Sequence, residues 1–139
     1  MKAAVVASPG VVEIRDVPMP EPGPDEILIK VKACGLNRAD LLVALGHFHG
    51  GRGGPGAIPG IEAAGEVVRA GPGVTNFNQG DKVMCSVASG FAEYVVANVA
   101  RSAEMPANLD WLKAATMPIA LQTMHNAIVT AGALKAGES

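Results

Sequence analysis

The stretch IPGIEAAGEVV, Ile58 to Val68, sets one carboxylate, Glu62, among small residues and glycines at the head of a β-strand that begins near Gly60. Outward from it the chain reads as short strands separated by turns. KAAVV and VVEIRDV flank Ser8-Pro9-Gly10, a hairpin signal. PMPEPGPDE is too heavily punctuated to be anything but an exposed connector. In EILIKVKA, Ile27, Ile29 and Val31 alternate with Leu28, Lys30 and Lys32, so one face is expected buried and the other mostly wet. NQGDKV and SGFAEYVV add two more turn-and-strand signals. Closely spaced short strands predict a small barrel rather than a layered α/β domain.

Helices interrupt this pattern twice. Asn37 is placed to cap RADLLVAL, which Gly46 closes. Beyond Asn108, DWLKAAT and PIALQTMHNAIVTA read as helical, with Pro118 in a first turn and Gly132 just past the end. Met117, Leu121, Met124, Ile128 and Ala131 recur at helical spacing, which reads as a packing face. The expected organisation is a barrel over 1–108, helices leading out of it over 109–132, and a linker stub over 133–139.

Composition narrows the functional classes. Apolar residues make up 49% of the 139 and the net charge is −2, so the chain can build a core but offers no basic field for nucleic acid. No segment is long and apolar enough to cross a bilayer, and MKAAVVASPG breaks too early for a signal-peptide core. Two cysteines, Cys34 and Cys85, form no disulfide framework, which favours a reducing, cytoplasmic setting.

GGRGGPG satisfies the letter of G-x-G-x-x-G through Gly51, Gly53 and Gly56. That fingerprint needs a strand before it and a helix N-terminus after it to hold a pyrophosphate. Here a helix precedes it, and Pro55 and Pro59 forbid one close behind, so it reads as a surface loop. His47 and His49 nearby are an incomplete metal set and read as solvated.

Taken in order, GLNRADLL (Gly35–Leu42), PGIEAAGEV (Pro59–Val67) and VTNFNQGDKVM followed by GFAEYVV resemble the GroES-like catalytic domain of medium-chain dehydrogenases/reductases. Within it they are most similar to the zinc-independent, zeta-crystallin-like quinone oxidoreductases, and AATMPIALQTMHNAI resembles the helices leading out of that domain. The resemblance implies a mainly β fold with a few helices, a GroES-like partly open barrel followed by exit helices. It also implies hydride transfer from NADPH to a quinone or an α,β-unsaturated carbonyl.

The same resemblance bears on metal. Zinc-dependent relatives carry cysteine at the position of Asn37, histidine at Ile61 and a third ligand near Ile119; an amide and two aliphatic groups cannot supply such a site. No zinc is expected. Asn37 matches an asparagine beside nicotinamide and substrate, and equally reads as a helix cap. Asp40 matches the aspartate of the family's N-x-x-D, and equally reads as a first-turn acid. Thr123 matches a threonine that touches the nicotinamide. Glu62 matches a glutamate beside the vacated ligand position, placed to orient backbone or solvent or to form an ion pair. Ile61 offers an apolar wall to a planar acceptor. Phe48 stands where relatives often have tyrosine and Ala44 where they often have arginine, so Phe48 can wall a pocket but donate no proton. His125, two residues after Thr123, is placed either to protonate an enolate or simply to pack.

No strand–glycine–helix unit for a dinucleotide is present, so the Rossmann half is expected to be missing and the chain alone to be inactive. An apolar face on the last helices would then favour a homodimer or a swapped dimer. The competing reading is a GroES-like, non-catalytic binding or adaptor module.

Overall fold

A computed structural model describes residues 1–48 and 53–138. His49 and Gly51, named above for a metal pair and a glycine motif, lie outside the described residues. The chain is mainly β: a two-stranded sheet of β1 (Lys2–Ser8) and β2 (Val11–Asp16), and a curled five-stranded half-barrel. The larger sheet contains β3 (Glu26–Cys34), β4 (Glu62–Ala70), β5 (Lys82–Ser86), β6 (Tyr94–Asn98) and β7 (Ser102–Glu104), in the order β6-β3-β4-β5-β7. Every ladder is antiparallel. Gly10 turns the first hairpin at φ +80°, a conformation that costs glycine nothing. The hairpin closes back on the rest, because Ala4 N donates to Phe91 O and Val6 N to Ala57 O.

Ile27, Ile29, Val67, Val83, Cys85, Val95 and Ala97 fill the concave side of the sheet, with Phe77 over them. Leu28, expected on the wet face, is 2% exposed, because the first half of β3 is covered on both sides. Lys30 and Lys32, further along, do reach solvent or its margin. Across the sheet, Ala64 meets Ala114 and Ala115 of α2 (Trp111–Ala115), flanked by Leu109, Met84 and the Trp111 ring. Asp110 caps α2 by accepting from Lys113 N at 2.8 Å. The small side chains of Ala64, Ala114 and Ala115 let helix and sheet approach closely.

Two further helices frame the site. α1 (Arg38–Ala44) starts after Asn37, whose backbone is extended, and ends before Gly46 at φ +85°. α3 (Pro118–His125) begins with proline in its first turn and continues as a π-helical turn, Asn126–Ala131, closed by Gly132 N on Ala127 O at 2.9 Å. Only its first turn is packed: Pro118 is buried, whereas Leu121, Met124 and Ile128 are 49, 55 and 41% exposed. The apolar stripe read as a packing face is therefore uncovered within the described chain. Its helix leaves the sheet after one turn.

Candidate functional site

The strand-head sequence Gly60-Ile61-Glu62 meets the N-termini of α1 and α3 at one end of the sheet. Glu62 is 3% exposed, and its carboxylate holds both helices. Its Oε1 accepts from Asn37 Nδ2 at 2.8 Å and its Oε2 from Ile119 N at 3.0 Å. That second bond satisfies an otherwise orphaned amide in the first turn of α3, where a carboxylate also meets the positive end of the helix dipole. No ion pair involves Glu62 among the described residues. It does the work of an ion pair through amides instead.

Asp40 makes a second brace beneath the first. At 5% exposure it accepts from Asn37 N at 2.8 Å through Oδ2 and from Gly60 N at 2.9 Å through Oδ1. The former is the reciprocal bond of a capping box; the latter ties α1 to the turn entering β4. Asn37 is thus held at both ends, its backbone by Asp40 and its side chain by Glu62. Removing the Asp40 carboxylate strands two amides, one of them buried, so Asp40→Ala is expected to cost about 2–3 kcal/mol of stability in chemical denaturation. A near-neutral result would mean that the turn re-forms with water.

Glycines make room for these acids. A Cβ on Gly35 would sit 2.6 Å from the Glu62 Cδ and 2.7 Å from its Cγ. A Cβ on Gly60 would meet Phe91 N at 2.6 Å, and Gly60 also has φ +103°. Gly65 lies under Lys30 and the Ile29 side chain with no space for a methyl group. Gly60 and Gly65 are the glycines on either side of Glu62 in the stretch Ile58 to Val68. Gly35 opens the separate stretch GLNRADLL, and its closeness to Glu62 leaves no local signal.

Cys34 donates from Sγ to Gly90 O at 2.8 Å. Burial, and then the Asp40 carboxylate, raise its pKa from 9.0 to about 11. Burial, and then Cys34, raise that of Cys85 from 9.0 to about 12. Both are protonated and unreactive near neutrality. Iodoacetamide at neutral pH should leave both unmodified in the folded protein and label both in denaturant, as read by intact mass. Between the unfolded value near 9 and these raised values, the folded chain keeps protons that the unfolded chain loses. Stability should therefore fall as pH rises from about 9 towards about 12.

The other sequence-derived candidates are scattered. Ile61 is half-buried and its carbonyl accepts from Val87 N at 2.9 Å. Thr123 is exposed on α3, four residues beyond Ile119 and so on the same helix face. His125 is also exposed, about 200° round the helix from Thr123. Phe48 is 78% exposed. A concavity of about 510 Å³ involves Met1, Val17, Pro18, Ile58, Tyr94 and Val96, none of them a candidate. Among the described residues, no group of three or more His, Cys, Asp or Glu is placed to hold a metal ion. The Glu62 carboxylate already spends both oxygens on amides.

The alcohol dehydrogenase GroES-like domain family matches residues 23–107, from the connector before β3 to just beyond β7. The chain belongs to that family. Human quinone oxidoreductase is 32% identical over 134 residues, 94% of this chain and 40% of that protein. Polyketide synthase GfsB of Streptomyces halstedii is 38% identical over 113 residues, 81% of this chain but 2% of that protein. The structure of mycobacterial Rv1454c complexed with NADPH superposes with a TM-score of 0.85 at 32% identity, covering 99% of this chain and 44% of that one. The chain thus spans less than half the length of each of these relatives. Quinone oxidoreductases within the medium-chain dehydrogenase/reductase superfamily recur among its relatives and structural neighbours, so the family is one of oxidoreductases.

Proposed function

We propose that these residues form the substrate-side domain of an NADPH-dependent oxidoreductase that delivers hydride to a quinone or an α,β-unsaturated carbonyl without zinc. The observation that carries this reading is the Glu62 bridge from Asn37 Nδ2 to Ile119 N. It links two positions at which zinc-dependent relatives would carry ligands, while Ile61 is the third. An amide oxygen and two aliphatic side chains do not fit a catalytic zinc, which needs thiolate, imidazole or carboxylate donors.

Asn37 supplies what a metal would otherwise supply. Its Nδ2 gives one N–H to Glu62, leaving the other to donate to the acceptor's carbonyl oxygen as negative charge develops there. Glu62 and Asp40 are positioning residues, fixing the rotamer and the backbone of Asn37 before substrate arrives. Ile61 forms an apolar wall suited to a planar acceptor; Phe48, 78% exposed, would wall the pocket only by folding over a bound acceptor. Thr123, on the Ile119 face of α3, would touch the nicotinamide of a bound cofactor; His125 lies off that face.

A bound nicotinamide supplies the hydride. The described residues hold no parallel strand–glycine–helix unit for the pyrophosphate, so tight cofactor binding belongs to residues outside this chain, and these residues alone should not turn over. The uncovered apolar face of α3, with Leu121 and Met124, is where such a second domain would pack.

The reading is tested on the full-length protein with NADPH deuterated at C4 and a simple enone. Deuterium should appear on the β-carbon of the product. Turnover that leaves the β-carbon unlabelled, or no turnover with any enone or quinone, would overturn it. Asn37→Ala should lower kcat about a hundredfold.

A further inference from the structure

The outer edge of β2 carries a self-complementary pattern. Met1 and Val17 exchange backbone bonds, each 2.9 Å, at the open end of the first hairpin. The register pairs Ala3 with Arg15 and Val5 with Glu13, so bonding alternates inward at Arg15 and Glu13. The opposite phase agrees: Ala4 N and Val6 N turn away from β2, to Phe91 and Ala57. The backbone N–H and C=O of Val12, Ile14 and Asp16 therefore point to the free edge. Among the described residues none pairs with them.

This edge is weakly guarded, since its terminal charge, Asp16, is paired with Lys2 of β1 at 3.4 Å. All six residues of β2 are exposed, Ile14 at 68%, and the strand contains neither lysine nor proline. Its two central charges, Glu13 and Arg15, neutralise one another at 2.9 Å on one face. They also stand symmetrically about Ile14.

We propose that this edge binds a second copy of the chain, β2 against β2 antiparallel about a two-fold axis at Ile14. Outward-pointing groups then meet outward-pointing groups, at Ile14 with Ile14 and at Val12 with Asp16, giving about six backbone bonds. The narrow pairs between them set Glu13 directly opposite Arg15 of the other copy, twice. A one-residue slip would oppose outward groups to inward ones. A two-residue slip would oppose Glu13 to Glu13 or Arg15 to Arg15. The bond phase and the charges together select one register. One short strand pair is a small interface, so the dimer is weak and concentration-dependent.

Sedimentation velocity and hydrogen exchange from about 1 μM to about 1 mM test this. Dimer should accumulate with concentration, and the amides of Val12, Ile14 and Asp16 should become protected as it does. Ile14→Pro removes the central outward N–H without touching the β1 ladder, and should abolish the dimer while circular dichroism stays unchanged. Glu13→Arg should weaken it at least about tenfold, and Glu13→Arg with Arg15→Glu should restore it. A monomer throughout the range would overturn the proposal. So would a dimer that survives Ile14→Pro, since that dimer would use another surface, such as the apolar face of α3.

Discussion

Glu62→Ala should lower the unfolding free energy by about 3 kcal/mol and the melting temperature by about 10 °C. The substitution removes a buried carboxylate that accepts from the Asn37 amide and from the first turn of α3. Each bond to a charged acceptor is worth about 1.5–3 kcal/mol, and the stranded donors then carry their own desolvation cost. Glu62→Gln should also destabilise, though less. Its amide oxygen can still accept from Ile119 N, but its NH₂ is satisfied only if Asn37 flips to present Oδ1, which turns the Asn37 N–H groups away from their present direction. In the reductase proposed above, both variants should reduce kcat more than they raise KM, because the Asn37 side chain loses its fixed orientation. Equal stability for wild type and Glu62→Ala would mean that the carboxylate braces nothing.

Gly60→Ala should be the more damaging change, at about 4 kcal/mol or more, enough to leave little folded protein at ambient temperature. The new Cβ would lie 2.6 Å from Phe91 N, 2.7 Å from Phe91 Cδ1 and 2.8 Å from Gly90 Cα, and φ is +103°. Relief requires moving backbone, and this backbone is engaged on both sides. Gly60 N donates to Asp40, and Gly60 O accepts from Gly90 N at 2.9 Å. Gly10→Ala is the matched control. Gly10 has φ +80° but nothing within 4 Å of a Cβ, so its cost is conformational alone, about 1–2 kcal/mol. Similar losses at both positions would show that the crowding at Gly60 relaxes cheaply.

Local signals carried the architecture. The Ser8-Pro9-Gly10 turn, the alternation in β3, Asn37 before α1 and Pro118 opening α3 each depend on neighbours a few residues away, and each appears where the pattern placed it. β7 is three residues long at a sheet edge, too short to show a period, so SAE gave no signal. Leu28, an apolar residue on the face shared with Lys30 and Lys32, is buried, because coverage of that face comes from elsewhere in the fold. Asn37, Asp40 and Glu62 stand out in the sequence as residues, but the contacts that join them do not. Glu62 reaches its partners across 25 and 57 positions of chain, and Asp40 reaches Gly60 across 20. No spacing rule spans such distances. Glu62 reads in the sequence as an acid that orients backbone or solvent or forms an ion pair, and in the fold it holds amides.

The proposal that the reaction runs without zinc can be tested directly. The full-length protein, exhaustively dialysed against a strong chelator and checked for metal by mass spectrometry, is assayed for NADPH-dependent reduction of an enone or quinone. The expected result is an unchanged rate at less than about one-tenth of a zinc ion per chain, and no stimulation by added zinc. Loss of the rate on chelation, with recovery on adding zinc, would contradict the assignment of Asn37, Ile61 and Glu62 to a metal-free site.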